Sequence, residues 1–238
     1  MQDSGAKVVV VFSAEGEMTP FLKDYMMLNI TGIQWVASEA WVTASVFAGR
    51  EFYAYLGGTI GFGIRQGHIR GLRSYLETES LLAQHSGYMN TSSPRVAYNV
   101  YKAVYAIAHS LNNLLGCQEH SGPFYNKSCA QRNDIQPWQL QHYLQEVAFN
   151  IGGEEVNFDL KGDSIPYYDI INWQRGPGGN IEFVNIGLFD GTKAAGMELV
   201  IEEEKIVWAG HQSEASCSYC VFTHIRCQLL KICRLRWR

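Results

Sequence analysis

The first forty residues alternate between apolar runs and one helical pattern, in the order typical of a parallel crossover unit. The apolar run Val8–Phe12 predicts a strand covered on both faces, and Ile33–Ala37 predicts a second buried strand. Between them, apolar residues recur at helical spacing after Thr19 and Pro20, which we interpret as the N-cap and the first helical position. A strand, a helix and a strand over about thirty residues form a βαβ unit, so the sequence predicts an α/β domain.

An acidic residue follows the second of these strands. Glu39 stands between Ser38 and Trp41, and ligands of open parallel sheets gather beyond the carboxyl ends of the strands. A carboxylate at that edge can bind a cationic ligand group through a charge-assisted hydrogen bond. It can equally cap the next helix or pair with an arginine, and the spacing alone leaves these interpretations open.

Composition is typical of a globular protein and not of a disordered one. The chain has 238 residues, of which 47% are hydrophobic and 18% charged, so it can bury a substantial core. The formal net charge of -4 gives no reason to expect a nucleic acid or an anionic membrane as partner. The apolar runs are too short to cross a bilayer, and the N-terminal residues lack the pattern of a signal peptide. We therefore expect neither a leader nor a transmembrane helix in this chain.

Further helices and strands are predicted along the rest of the chain. A long helix is expected from Ser93-Pro94 to Gly116, with a core face formed by Val96, Val100, Val104, Ala108, Leu111 and Leu115 and widened by Tyr98, Tyr101 and Tyr105. A weaker helix is expected at Ile69–Leu82, and another begins at Gln136-Pro137. Strands are predicted at Val156–Phe158, Tyr168–Trp173, Ile181–Phe189, Met197–Ile201 and Lys205–Ala209.

Two other patterns suggest a site without establishing one. The glycines of the run Leu56–Ile64 lie inside an apolar strand, whereas a phosphate loop needs them between a strand and a helix, so we expect close backbone packing there. Cys217 and Cys220 have the spacing of a zinc or redox pair, but the second pair is poorly spaced, although His224 could substitute. A nucleophile elbow and a paired-histidine motif are absent, so we do not expect an enzyme.

Sequons and cysteines point to the secretory route. Asn29, Asn90 and Asn126 each begin an Asn-X-Ser/Thr tripeptide, which is a glycosylation acceptor in secreted proteins. Cys117 and Cys129 flank a polar loop, as a local disulfide would. The chain therefore has features of a secreted or surface protein although it shows no leader.

Several collinear motifs closely resemble the extracellular domain of class C G-protein-coupled receptors. The nearest resemblance is to calcium-sensing-receptor-like and vomeronasal type-2 (fish olfactory) receptors, and it runs from about Gly5 to Glu214. The matching motifs are Trp35–Trp41, Gly57–Phe62, Tyr98–Tyr101, Ala103–His109, Ile170–Trp173 and Glu203–Trp208.

This resemblance implies a partial periplasmic-binding-protein-like (Venus-flytrap) domain, with parallel βαβ units in two incomplete lobes. Residues 5–77 would belong to the second lobe, 78–173 mainly to the first, and 174–214 would return to the second, while 215–238 form an atypical Cys/Arg-containing tail. In the family, the acid equivalent to Glu39, with neighbours equivalent to Ser38 and Ala40, contacts the α-amino group of a bound amino acid. Positions equivalent to Arg95 and Val96 lie near the ligand on the opposite lobe, and Cys117 and Cys129 match a local disulfide.

The resemblance also implies what the parent receptor does. The parent would sense amino acids or related small ligands at the extracellular side of the plasma membrane and signal by cleft closure. Its partners would be a G protein and a homo- or heterodimer partner, bound through parts missing here, and no nucleic acid. No cofactor is implied, and Ca2+ is left open as a modulator of the parent family.

Three departures from the family support an alternative. The groups that hold the ligand carboxylate precede Lys7 in the family, a longer cysteine-containing segment normally lies between Leu76 and Gln84, and the tail after Glu214 suggests frame-shifted or non-coding sequence. The alternative is therefore a truncated product that binds nothing and is inert or dominant-interfering.

Overall fold

The structure, a computed structural model, describes residues 6–79 and 95–210. The predicted glycosylation site at Asn90 and the cysteine pair of the tail lie outside the described residues. The chain divides into two compact units. Unit 1 contains the described residues up to Ile64 and from Tyr167 onward, and unit 2 is Arg65–Pro166.

Eight strands and five helices occur in the described part of the chain. The strands are β1 (Val8–Val11), β2 (Gln34–Ala37), β3 (Ile60–Ile64), β4 (Ala148–Ile151), β5 (Glu154–Asn157), β6 (Tyr167–Arg175), β7 (Ile181–Asp190) and β8 (Leu199–Ile201). The helices are α1 (Glu15–Met27), α2 (Tyr53–Leu56), α3 (Leu72–Glu79), α4 (Arg95–Leu115) and α5 (Pro137–Gln145).

Unit 1 is built on one six-stranded sheet in the order β1-β2-β3-β6-β7-β8. Strands β1, β2 and β3 run parallel, and each later neighbour is antiparallel. The β1–α1–β2 segment is the predicted parallel crossover, so the α/β prediction is confirmed. The predicted full cover of β1 is wrong, because this strand lies at the edge of the described sheet and Val10 is 37% exposed.

Helix α1 begins five residues before the predicted start. Its first residue is Glu15, and the carboxylate of Glu17 accepts a hydrogen bond of 2.8 Å from the Ala14 N–H. Pro20 therefore lies inside the helix, and Thr19 is not the N-cap. The Thr19 hydroxyl instead donates a hydrogen bond to the Glu15 carbonyl oxygen at 2.9 Å. The Thr-Pro pair gave a helix start signal that the local acidic cap overrides.

The core of unit 1 covers both faces of the sheet. Successive side chains of a strand point to opposite faces, and β6 accordingly sends Ile171 and Trp173 into one hydrophobic cluster and Ile170 into the other. On β2, Trp35 and Val36 divide in the same way. All five side chains are fully buried, which explains why these strands read as continuous apolar runs.

The predicted strand Lys205–Ala209 is wrong. Its backbone is paired by side-chain amides instead of by a neighbouring strand. The Val207 N–H donates to Asn172 Oδ1 at 2.9 Å, and Asn172 Nδ2 donates to the Val207 carbonyl oxygen at 3.1 Å. The Ala209 N–H donates to Gln34 Oε1 at 3.2 Å. Buried amides therefore satisfy this segment without a β-ladder.

Two glycines of the glycine-rich run allow close backbone approach. A Cβ at Gly58, which has φ of 87°, would overlap the backbone of Ala209, and a Cβ at Gly61 would overlap the carbonyl oxygen of Ala37. The predicted packing role of these glycines is therefore confirmed.

Unit 2 combines α3, α4 and α5 with the antiparallel β4–β5 hairpin. The bounds of α4 agree with the prediction, but the predicted core face is wrong. Its valines Val96, Val100 and Val104 are 59–67% exposed, and Leu111 and Leu115 are also exposed. The buried side chains of α4 are Tyr98, Ala106, Ser110 and Leu114, on the side where the helix packs against α5 and β4. Of the tyrosines, Tyr105 is exposed and Tyr101 is half-buried.

Candidate functional site at the carboxyl edge of the parallel strands

Glu39 lies where two parallel strands end. Register pairs Val11 with Ala37, so β1 and β2 reach the same edge of the sheet. The Ser38 N–H continues this ladder by donating to the Val11 carbonyl oxygen at 3.2 Å. Ser38 is buried, Glu39 is half-buried and Ala40 is exposed. The chain therefore leaves the core at Glu39, which is where the topology of a parallel sheet places ligand-binding residues.

The loop that carries Glu39 is fixed from both sides. The Ser38 carbonyl oxygen accepts hydrogen bonds from the N–H groups of Trp41 at 3.3 Å and Val42 at 3.1 Å. The Trp41 ring is fully buried, and its Nε1 donates to the Val11 carbonyl oxygen at 3.2 Å. A tight turn on a buried indole holds the backbone of Glu39 in one place, as a binding carboxylate requires.

The interpretation of Glu39 as a helix cap is wrong. The next helical segment, a 3-10 turn at Ser45–Phe47, has Ala44 at its N-cap and no side-chain cap. By contrast, the Glu17 carboxylate at the same edge is used in capping α1. Glu39 therefore does not cap this turn.

Arg95 and Val96 open helix α4 in unit 2. Arg95 is half-buried, and the Val96 side chain is 67% exposed. Their predicted place near a ligand stays a prediction.

Unit 2 contains a buried ion cluster that no pattern in the sequence predicts. Glu154 is 5% exposed, and its two carboxylate oxygens contact Arg65 Nε at 3.0 Å and Lys102 Nζ at 3.1 Å. The ammonium of Lys102 also lies 5.0 Å from the centre of the Tyr98 ring. These residues come from a loop, a helix and a hairpin, so no local spacing could reveal them.

Tyr98 packs into this cluster through two glycines. A Cβ at either Gly67 or Gly152 would overlap the tyrosine side chain. Its hydroxyl donates to the Ile151 carbonyl oxygen at 3.3 Å. Burial raises the pKa of the Tyr98 hydroxyl, and the Glu154 carboxylate raises it further. The cluster positions α4 on the hairpin, and we assign it a structural role.

The covalent features lie in loops. Cys117 and Cys129 are joined by a disulfide. The sequon residues Asn29 and Asn126 are both exposed and both have positive φ, at 50° and 54°.

Across residues 6–79 and 95–210, His, Cys, Asp and Glu form no group of three or more that could hold a metal ion. In the same ranges, every helix is too short or too polar to span a membrane.

The sheet topology and the loop that carries Glu39 are typical of the α/β class of ligand-binding proteins. A comparison with protein families identifies the particular family. Residues 1–176 match the model described as the receptor family ligand binding region. The chain belongs to this family, and its mixed sheet with flanking helices is a partial periplasmic-binding-protein-like fold.

Curated relatives place the chain among class C G-protein-coupled receptor extracellular domains. The extracellular calcium-sensing receptor of Mus musculus is 32% identical over 284 residues, covering 92% of this chain and 26% of the receptor. Taste receptor type 1 member 1 of Mus musculus is 31% identical over 241 residues, covering 90% of this chain and 27% of the receptor. Taste receptor type 1 member 2 of Macaca mulatta is 31% identical over 201 residues, covering 74% of this chain and 23% of the receptor. The resemblance to class C receptors is thus confirmed, and the chain spans about a quarter of the length of these relatives.

Proposed function

We propose that this chain is part of the ligand-binding ectodomain of a class C receptor and that Glu39 binds the α-ammonium group of an amino acid or a related small ligand. The observation that carries the proposal is the half-buried carboxylate of Glu39, held on a fixed turn at the carboxyl edge of two parallel strands. The family match supports it, because the matching family is one of receptor ligand-binding regions.

The chemistry of this edge suits an ammonium group. A partly desolvated carboxylate attracts a cation more strongly than one in bulk water does, and hydrogen bonds between charged partners are short and strong. Ala40 is exposed and carries only a methyl group, so it adds little bulk beside the carboxylate. Ser38 is buried and contributes its backbone to the turn.

The proposal extends to the parent receptor. A ligand that contacts both lobes only in the closed state stabilises that state, so binding energy is converted into cleft closure. The parent would act at the extracellular side of the plasma membrane with a G protein and a receptor dimer partner, and we propose no cofactor for it. We propose no catalytic activity, since the relatives are receptors.

Calorimetry on the full chain tests the role of Glu39. A panel of natural amino acids is titrated into the wild type, into Glu39→Gln and into the matched control Glu204→Gln, whose side chain is exposed in the same unit. We expect saturable binding that weakens about 10- to 100-fold in Glu39→Gln, because a charge-assisted hydrogen bond contributes about 1.5–3 kcal/mol. The control should bind like the wild type. Binding that survives Glu39→Gln unchanged would contradict the assignment.

One observation favours the alternative of a non-binding, inert or dominant-interfering product. Helix α4 exposes three valines and two leucines on one face, and such a patch is more typical of an incomplete domain than of a finished one. The absence of binding by a wild-type protein that melts cooperatively as a monomer would favour this alternative over the receptor proposal.

A further inference from the structure

The turn that carries Glu39 is held at its two ends by different kinds of hydrogen bond. It begins at Ser38, whose N–H continues the β-ladder to the Val11 carbonyl oxygen at 3.2 Å. It ends at Val42, whose N–H closes the turn by donating to the Ser38 carbonyl oxygen at 3.1 Å. The Val42 carbonyl oxygen in turn accepts a hydrogen bond of 2.7 Å from Trp173 Nε1. The backbone therefore holds the start of the turn, and a side chain of β6 holds its end.

The Trp173 indole is itself fixed in position. Its backbone N–H donates to the Thr59 carbonyl oxygen, and its carbonyl oxygen accepts from the Gly58 N–H, both at 2.9 Å. The fully buried ring packs against the rings of Trp41 and Phe183, with centroid distances of 5.6 and 5.3 Å. Because packing locks the side chain and hydrogen bonds lock the backbone, the position of the indole N–H is fixed as well.

The Val42 carbonyl oxygen needs this donor. Val42 is fully buried, and its side chain lies so close to β3 that a Cβ at Gly61 would overlap Val42 Cγ2. A buried carbonyl oxygen without a hydrogen bond is costly, so loss of the indole N–H should shift the turn until the oxygen finds water or another donor. Because the Val42 N–H is bonded to Ser38, such a shift also moves Glu39.

We infer that Trp173 is a positioning residue of the ligand site, and that its indole N–H sets the affinity of Glu39 for an ammonium group. This inference rests on the proposed function, because Trp173 acts through Glu39. A carboxylate forms a strong charge-assisted hydrogen bond with a ligand only when it is held within about 0.5 Å of the productive geometry. Trp173 is fully buried, so it acts through the backbone of Val42 and not by contact with a ligand.

Trp35 provides a matched control in the same unit. It is fully buried like Trp173, and its Nε1 donates to the Tyr55 carbonyl oxygen at 3.0 Å. Tyr55 belongs to α2 and not to the turn 38–42. Replacement by phenylalanine removes the indole N–H in both cases and keeps an aromatic ring. Both variants should lose stability, so stability alone does not distinguish a positioning role from a structural one.

The test measures how strongly each protein prefers an amino acid to its α-hydroxy acid, in which a hydroxyl replaces the ammonium group. The natural amino acids are titrated calorimetrically into the full-length wild type, and the one that binds most tightly is compared with its hydroxy acid. The same pair is titrated into Trp173→Phe, Trp35→Phe and Glu39→Gln, with the folded fraction of each protein measured by circular dichroism.

The indole N–H should affect the amino acid more than the hydroxy acid. In Trp173→Phe we expect the affinity for the amino acid to fall about 3- to 10-fold and that for the hydroxy acid by less than about twofold, as for the loss of one hydrogen bond that acts on the charged contact. Trp35→Phe should keep the preference of the wild type. If Trp173→Phe folds poorly, a benzothiophene analogue of tryptophan at position 173 removes the N–H and keeps nearly the same shape.

Hydrogen exchange provides a second readout that needs no ligand. Exchange followed by mass spectrometry should be faster in residues 38–44 of Trp173→Phe than in the wild type, because the end of the turn has lost its hydrogen bond. The same residues should be unchanged in Trp35→Phe. Unchanged exchange in Trp173→Phe would show that the indole does not hold the turn, and would overturn the inference.

The binding results separate this inference from the proposed function. If Glu39→Gln loses the preference for the ammonium group and Trp173→Phe keeps it, the role of Trp173 is wrong and that of Glu39 stands. If Trp35→Phe lowers the preference as much as Trp173→Phe does, the effect is a general loss of packing, and the inference is again wrong. A wild type that binds no amino acid, or that binds both ligands equally, would overturn the inference and the proposed role of Glu39 together.

Discussion

The two units of the chain are held together in different ways. Unit 1 has a sheet with a hydrophobic cluster on each face, and three of its tryptophans are fully buried. Unit 2 has no comparable cluster within its described residues; the charged Glu154 and the Tyr98 ring organise its interior, and a disulfide closes one of its loops. A sheet can divide its side chains between two faces, whereas a single long helix buries only the face that its neighbours cover. Burial of apolar side chains should therefore stabilise unit 1 against unfolding, whereas specific polar contacts should stabilise unit 2.

The largest effect should come from the core of unit 1. Trp173 is fully buried against Trp41, and its Nε1 donates to the Val42 carbonyl oxygen at 2.7 Å. Trp173→Ala should lower the free energy of unfolding by about 3–5 kcal/mol, because it leaves a large cavity. The free energy is measured by denaturant titration followed by circular dichroism.

A tryptophan of unit 2 provides the matched control. Trp138 is 57% exposed on α5, so Trp138→Ala should cost less than about 1 kcal/mol. Similar losses of unfolding free energy for Trp173→Ala and Trp138→Ala would show that apolar burial does not distinguish the two units.

A smaller effect should come from the ion cluster of unit 2. Glu154→Gln removes the charge that pairs with Arg65 and Lys102, whose side chains are 38% and 18% exposed. Because both cations can still reach water, we expect a loss of about 1–3 kcal/mol, less than for a fully buried pair. Hydrogen exchange followed by mass spectrometry should show faster exchange in β4 and β5 while the sheet of unit 1 is unchanged.

The neighbouring acid on the same strand serves as control. Glu155 is exposed, so Glu155→Gln should change stability by no more than about 0.5 kcal/mol. If Glu154→Gln also made hydrogen exchange faster in β2 or β6, the stabilising effect of the polar cluster would not be specific to unit 2.

The smallest effect should come from the exposed face of α4. Val104 is 59% exposed, so Val104→Lys should change the free energy of unfolding by no more than about 0.5 kcal/mol. Leu114→Ala, on the buried face of the same helix, should cost about 2–4 kcal/mol. Thermal unfolding measures both variants, and a larger loss for Val104→Lys than for Leu114→Ala would reverse the assignment of the two faces.

Local signals predicted much of the fold and some of the site. The β1–α1–β2 crossover follows from apolar runs of strand length around a helical pattern, and the turn with Glu39 follows from where the second run ends. For α4 the periodicity predicts the helix but not its buried face. Valines occur on one side of the helix, and Tyr98 and Leu114 occur on another. Only the contacts with α5 and β4 determine which side is buried.

Long-range pairing could not be predicted. Arg65 and Glu154 are separated by most of unit 2, and no spacing rule joins them. The same holds for Asn172, whose amide satisfies the backbone of Val207 and replaces the strand predicted there. Buried polar groups find partners wherever the fold brings them, so their pairing becomes visible only in the structure.

The most direct test of the role of Glu39 compares two ligands on two proteins. A bound amino acid and its α-hydroxy acid, in which a hydroxyl replaces the ammonium, are titrated calorimetrically into the wild type and into Glu39→Gln. We predict that the hydroxy acid binds the wild type at least about tenfold more weakly than the amino acid, as expected for the loss of one charge-assisted hydrogen bond, and that the two ligands bind Glu39→Gln equally. An equal preference for the amino acid in both proteins would show that another group binds the ammonium, and would contradict the assignment of Glu39.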